Sequence, residues 1–275
     1  MLFLRPLLIA VASLVPGLLP AAALCHEFWV APQKYQVKSG ASVSADLRNG
    51  QNFNGFRLPY LDQNIARFET IQAGERRSYT GRLGDTPALS LGAVPDGLLT
   101  ILHETRADRL TYEEWDKFAA FVEEKGLQPA LAQHMARGLP NSGFAERYIR
   151  HAKALIGVGH GRGSDSYQGM ELEFVAATNP YESPENTGVL VTLVERGADG
   201  GTPLAAHQIT VFAKAPDGAV TLTTQHTDTN GQARISVAPG HRYLLDAVVL
   251  RPHVPTQSDD AVWQSHWAAL TFAMP

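Results

Sequence analysis

This sequence is poorest in the groups that most often advertise chemistry. Among its 275 residues there is a single cysteine, Cys25. That excludes a disulfide within the chain and any thiolate metal cluster, because both need more than one thiol. Charge is sparse as well, with 23 Lys/Arg against 27 Asp/Glu and a formal net charge of −4. A mildly acidic chain without basic runs does not suit nucleic acid or an anionic membrane surface as partner. There is no H-E-x-x-H zinc motif and no G-x-S-x-G nucleophile elbow. Ser164-Asp165 and Ser265-His266 are adjacencies, not triads. The glycine cluster of 157–169 lacks the Gly-Lys-Ser/Thr ending of a phosphate loop, so it reads as a linker.

Long apolar runs are also missing, apart from one at the start. Arg5, the apolar stretch Leu7 to Leu19 and the small-residue exit Pro20 to Cys25 have the three parts of an export signal. The run is too short and too interrupted by Pro and Gly to cross a bilayer. Ala23 and Cys25 occupy the two small positions of a cleavage site, which predicts a cut before His26. Lipidation of Cys25 is the alternative, although Leu24 is bulkier than such sites accept. Cleavage would leave 250 residues without cysteine, with 22 Lys/Arg against 27 Asp/Glu and a net charge of −5. The expected product is periplasmic and not an integral membrane protein.

What is present is β periodicity. Phe28 and Val30, Tyr35 and Val37, then Val43, Ala45 and Leu47 alternate with polar neighbours, the period of half-buried strands. The polar run Arg48 to Gly55 reads as a loop. Further strands are expected at Arg76 to Leu83, Ala88 to Leu91 and Gly97 to Glu104. Thr111-Tyr112-Glu113-Glu114 has the form of a capping box, with Trp115, Phe118, Ala119 and Val122 at helical spacing and Gly126 as a stop. Pro129 opens a second predicted helix ending near Gly138. A third is predicted from Phe144 to Ile156, with Tyr148, Ala152 and Leu155 on one face. Strand patterns return at Val189 to Val194, Gln208 to Ala213, Ala233 to Val237, Tyr243 to Leu250 and Trp263 to Phe272. The expected fold is mainly β, with two β-sandwich domains, immunoglobulin-like or transthyretin-like, and a helical insert between them. The boundaries are 1–25 signal, 26–110 first sandwich, 111–157 insert, 158–169 linker and 170–275 second sandwich.

The segment Pro203-Leu204, Ile209 to Phe212, Asp228 to Gly231 and Ala233 to Ile235 resembles transthyretin-like and carboxypeptidase-regulatory-like modules. Beyond that segment, His26-Glu27-Phe28-Trp29, Asp46-Leu47-Arg48-Asn49-Gly50 and Leu58-Pro59-Tyr60-Leu61 are similar to a bacterial exported family of unknown-function domains (NikM-like). Leu110-Thr111-Tyr112, Arg147-Tyr148 and Trp263-Gln264-Ser265-His266-Trp267 extend that resemblance to both ends of the chain. It implies a periplasmic component of nickel or cobalt uptake, serving a membrane transporter.

The ten histidines then become the candidate ligands. A mature N-terminal His26 would offer an amine and an imidazole nitrogen to one ion, a chelate suited to Ni(II) or Cu(II). His266, on the last strand between Trp263 and Trp267, is its expected partner, because terminal strands often lie together. His103, at a strand end, is a further candidate, and Glu27 could ligate or orient a histidine. His151 and His160 are expected to be solvated, and His134, His207, His226, His241 and His253 lie at scattered surface positions without ligand spacing. Trp29, Trp115, Trp263 and Trp267 fit core periods better than a sugar platform. The function these residues predict is capture of a divalent transition metal (nickel, cobalt or copper) for uptake or delivery. The alternatives are a copper-dependent oxidative enzyme built on His26 and a metal-free interaction module.

Overall fold

The computed structural model describes residues 26–182, 188–198, 200–256 and 260–275. The export segment, its cleavage site and Cys25 lie outside the described residues. In chain order the first half contains β1 (Glu27–Pro32), β2 (Gln36–Val37), β3 (Ser42–Gln51), β4 (Asn54–Leu58), β5 (Ile65–Gln72), β6 (Glu75–Ser78), β7 (Leu89–Ala93), β8 (Gly97–Thr105) and β9 (Asp108–Tyr112). Two helices follow, α1 (Trp115–Glu124) and α2 (Pro129–Ala136). The second half contains β10 (Phe144–Val158), β11 (Leu172–Ala176), β12 (Gly188–Gly197), β13 (Gly200–Pro203), β14 (Gln208–Lys214), β15 (Val220–His226), β16 (Gln232–Ser236), β17 (Arg242–Pro252) and β18 (Trp263–Ala273).

These strands form three layers. A central sheet runs β15-β14-β17-β18-β10-β8-β5-β6, with β2 and β9 also paired to β10. One face is covered by the small sheet of β1, β3, β4 and β7, and the other by the sheet of β11, β12, β13 and β16. Ala152, Ala154 and Ile156 of β10 enter the first core, whereas Leu155 enters the second. The helices cover the rest of the first face through Phe118, Phe121, Trp263 and Trp267. The fold is therefore mainly β and sandwich-type, as the residue alternation predicts, with a middle sheet that takes strands from both predicted halves. No helix of the described residues is long and apolar enough to cross a membrane.

The third predicted helix is instead the fifteen-residue strand β10. It runs parallel to β18 and is buried on both faces from His151 to Val158. A strand buried on both sides loses polar alternation, which is why Ala152, Lys153, Ala154 and Leu155 imitate a helix in sequence. The capping box is corrected too. Thr111 lies in β9 opposite Ala145, its Oγ1 accepts from Arg109 at 2.6 Å, and α1 begins only at Trp115 without a side-chain cap. Gly126 does end α1, at φ +71°, with the Leu127 N–H bonded to the Val122 carbonyl. The expected loop from Arg48 to Gly55 is a tight hairpin turning at Asn52 and Phe53, both at positive φ. Gly55 is needed there, since a Cβ would come within 2.8 Å of the Trp29 ring.

Candidate functional site

Alternation on β18 decides where the predicted ligands point. Ser265 and Trp267 face the helices and β1, so His266 faces the opposite side of the central sheet. On β10 the register pairs Ile149 with His266, and His151 is the next residue on that face. The result is a hydrogen-bonded series across three strands. His151 Nδ1 lies 3.0 Å from Glu104 Oε2, and His151 Nε2 lies 3.1 Å from His266 Nδ1. His266 Nε2 lies 2.8 Å from the Gln264 amide nitrogen, and Arg147 donates to Gln264 Oε1 at 3.1 Å.

One proton assignment satisfies the whole series with both rings neutral. His151 donates from Nδ1 to Glu104, His266 donates from Nδ1 to His151, and His266 Nε2 accepts from Gln264. Burial, reinforced by the neighbouring His151, lowers the His266 pKa to about 4, so this ring is neutral at physiological pH. Burial works to raise Glu104, but the His151 hydrogen bond and the nearby Arg67 and Arg196 hold its carboxyl below the usual range. His151 is 1% exposed. It is therefore a central member of the cluster rather than the solvated helix residue that the sequence suggests.

The other predicted ligands go elsewhere. The His26 carbonyl accepts a bond from Arg150, whose guanidinium lies 4.7 Å from the Trp267 ring centre on the first face of the sheet. Arg150 and partial burial lower the His26 pKa, burial being the larger cause. The first and last strands do adjoin, with Thr271 Oγ1 donating to the Val30 carbonyl at 2.7 Å. That contact lies on the face away from the His266 ring, so adjoining strands do not bring His26 and His266 together.

Glu27 is 2% exposed and lies 3.1 Å from Lys125 Nζ, which also lies 3.1 Å from Asp246. Two buried carboxylates share one ammonium here, and the half-exposed Glu124 adds a third at 3.2 Å. Burial first and the Asp246 charge second push Glu27 up to about 7. Desolvation opposes the charge on Lys125, but Asp246 and Glu27 more than offset it and hold its pKa above the usual value.

His103 is fully enclosed between Phe28 and Phe68, with ring centres 5.1 and 5.0 Å away. Neither of its nitrogens has a hydrogen-bond partner among the described residues, and burial lowers its pKa to about 3. It borders a cavity of about 350 Å3 that Asn49, Tyr148 and Arg150 also line. His134 is a satisfied core residue, accepting from Trp263 Nε1 at 3.1 Å and bonded to the Pro140 carbonyl at 2.9 Å.

Among the described residues, no group of three or more His, Cys, Asp or Glu side chains stands ready-made to hold a metal ion. What the structure offers is a pair of facing imidazole nitrogens with a carboxylate behind one ring. The sequence gives no local signal of that pair, because its members are 115 residues apart.

Likeness to solved structures is weak. A tetra-tandem repeat from the extending region of a large adhesion protein shares 12% identity at a TM-score of 0.20, over 89% of this chain and 50% of that one. A 1.5-MDa bacterial ice-binding adhesin gives 11% identity and a TM-score of 0.22, over 90% and 65%. The Yersinia pseudotuberculosis adhesin InvE gives 13% and 0.20, over 89% and 58%. The chain thus spans between half and two thirds of the length of those structures, and likeness of this degree assigns neither fold nor function. No curated protein matches the sequence. Residues 23–251 do match a family described as a domain of unknown function (DUF4198), and the chain belongs to that family.

Proposed function

We propose that this protein is an exported carrier of a divalent transition metal ion (nickel, cobalt or copper), which it holds through His151 and His266 and presents for uptake. The observation that carries this reading is the 3.1 Å approach of His151 Nε2 to His266 Nδ1. Two nitrogens bound to one ion at about 2.0–2.1 Å stand about 3 Å apart when they meet it near a right angle. The metal would take the place of the proton the two rings share, and the His266 N–H would move to Nε2, with the Gln264 amide turning over so that its oxygen accepts it. Glu104 would hold the His151 ring by its other nitrogen, the role carboxylates play behind histidine ligands. Neutral imidazoles favour the later first-row ions, and solvent would fill the remaining positions.

This reading moves the site from the predicted His26 chelate to the opposite face of the central sheet. Calorimetric titration of nickel, cobalt and copper into the purified metal-free protein tests it. Saturable binding of one ion, lost in His151→Asn and His266→Asn, is expected. Binding that survives both substitutions, or no saturable binding of any of the three ions, would overturn it.

A further inference from the structure

A second site lies on the face of the central sheet that carries β1. A cleft of about 300 Å3 opens between the β3–β4 hairpin and the ends of β14 and β17, and four cations line it: Arg48, Arg57, Lys214 and Arg242. They come as two directly opposed cross-strand pairs, Arg48 with Arg57 and Lys214 with Arg242. Like charges in register repel, so such pairs are unfavourable without a compensating anion. In the first pair Asp46 supplies it, with Oδ2 at 3.2 Å from Arg48 and 3.0 Å from Arg57. Among the described residues, the second pair has no carboxylate within ion-pair distance and Asp46 is the only acid lining the cleft. A surplus of three positive charges gathers here in a chain whose overall charge is −4.

Asp46 supplies the second observation. It is 3% exposed, and its Oδ1 is buried with no hydrogen-bond partner among the described residues. A buried carboxylate oxygen without a donor is costly, and a donor from a bound molecule would relieve it. We propose that the cleft binds a small, multiply charged oxyanion that also carries a hydroxyl group. Its carboxylate or phosphate oxygens meet Lys214, Arg242 and the outer guanidinium of Arg57. Its hydroxyl donates to Asp46 Oδ1, and the Trp29 ring forms an apolar wall. Arginine and lysine both accept carboxylate and phosphate, so the anionic group has two possible sources with the same chemistry.

Calorimetry at matched ionic strength separates them, using two pairs of probes that differ chiefly by hydroxylation. Malate against succinate tests the carboxylate source, and glycerol phosphate against propyl phosphate the phosphate source. The expected result is saturable binding of the hydroxylated member of one pair, about tenfold tighter than its hydroxyl-free partner. The same binding should weaken by about tenfold or more in the Lys214→Gln, Arg242→Gln double variant. Both changed residues are solvent-accessible, and an unchanged circular dichroism spectrum establishes that the variant is folded. Three results would overturn the proposal: no saturable binding of any probe, equal affinity within both pairs, or undiminished affinity in the double variant.

Discussion

His151 and His266 meet nitrogen to nitrogen at 3.1 Å on neighbouring parallel strands, with near-parallel rings whose centres are 5.4 Å apart. These two distances place the facing nitrogens close to the line between the ring centres, an in-line hydrogen bond rather than a face-to-face stack. A metal ion held at about 2.0–2.1 Å from both nitrogens would lie off that line, so each ring would have to turn by roughly 40° to aim its lone pair at it. Their offset of two residues in the β10–β18 register fixes the contact, and Glu104 anchors its inner end.

Glu104→Gln should therefore weaken transition-metal affinity by about 10- to 100-fold, the usual effect of losing a carboxylate behind a ligating histidine. His26→Ala should leave affinity unchanged, because the His26 backbone meets Arg150 on the other face of the sheet. Titrations of both variants decide between the internal pair and an N-terminal chelate. Loss of binding in His26→Ala with none in Glu104→Gln would restore the latter.

How much of this was legible depends on where burial is one-sided. Val43 sits between Ser42 and Ser44 and Leu47 between Asp46 and Arg48, and that alternation gives the β class directly. β10 is different: both of its faces are covered, and it is rich in Ala, Lys and Arg, so residue type and spacing both point to a helix. Misplacing β10 also hides the site. His151 read as a surface helix residue has no relation to His266, whereas on a strand parallel to β18 it is nearly adjacent. His103 and Glu27 were legible as strand residues, but their aromatic and ionic surroundings come from segments distant in sequence.

His103 carries a clear stability prediction. Its ring is enclosed by Phe28 and Phe68, and both nitrogens lack partners among the described residues. An apolar replacement of similar volume removes that unmet demand. His103→Leu should be neutral or stabilising by about 1 kcal/mol at pH 7. The His103 pKa is about 3, below its unfolded value, so the native state resists taking up a proton that the unfolded chain binds. Stability is lost as pH falls from about 6.5, and the advantage of His103→Leu should grow over that interval. Denaturant melts at pH 7 and pH 5 check this, and metal affinity should not change.

Lys153 tests the buried side of β10. Its ammonium is held at 3.0 Å by Asp165 and 2.5 Å by Glu173, with all three side chains at most 1% exposed. Lys153→Met would leave two buried carboxylates facing each other, a loss on the order of 3–5 kcal/mol. For a chain of this size that corresponds to a fall in Tm of about 10 °C. Combining it with Asp165→Asn and Glu173→Gln should recover much of the loss, which thermal melts of the two variants would show. An equal fall in both would mean that packing, not charge, is the cause.

The last prediction concerns Glu27, Lys125 and Asp246, where one ammonium sits between two carboxylates that are no more than 3% exposed. With both carboxylates ionised the cluster would carry a net negative charge inside the protein. Holding a proton on Glu27 cancels it, which is the physical content of a pKa raised to about 7. The native state then binds a proton that the unfolded chain releases near pH 4.3. Stability from this group is fully present below that value and is lost as pH rises through 7, on the order of 3–4 kcal/mol in all. Glu27→Gln keeps the neutral shape at every pH, and Asp246 remains to pair Lys125. The variant should match the wild type at pH 4.5, exceed it at pH 8 and show a flatter stability curve between them. Chemical denaturation at those two pH values measures the difference, and a Glu27→Gln variant less stable than wild type at pH 8 would mean that Glu27 is ionised in the folded protein.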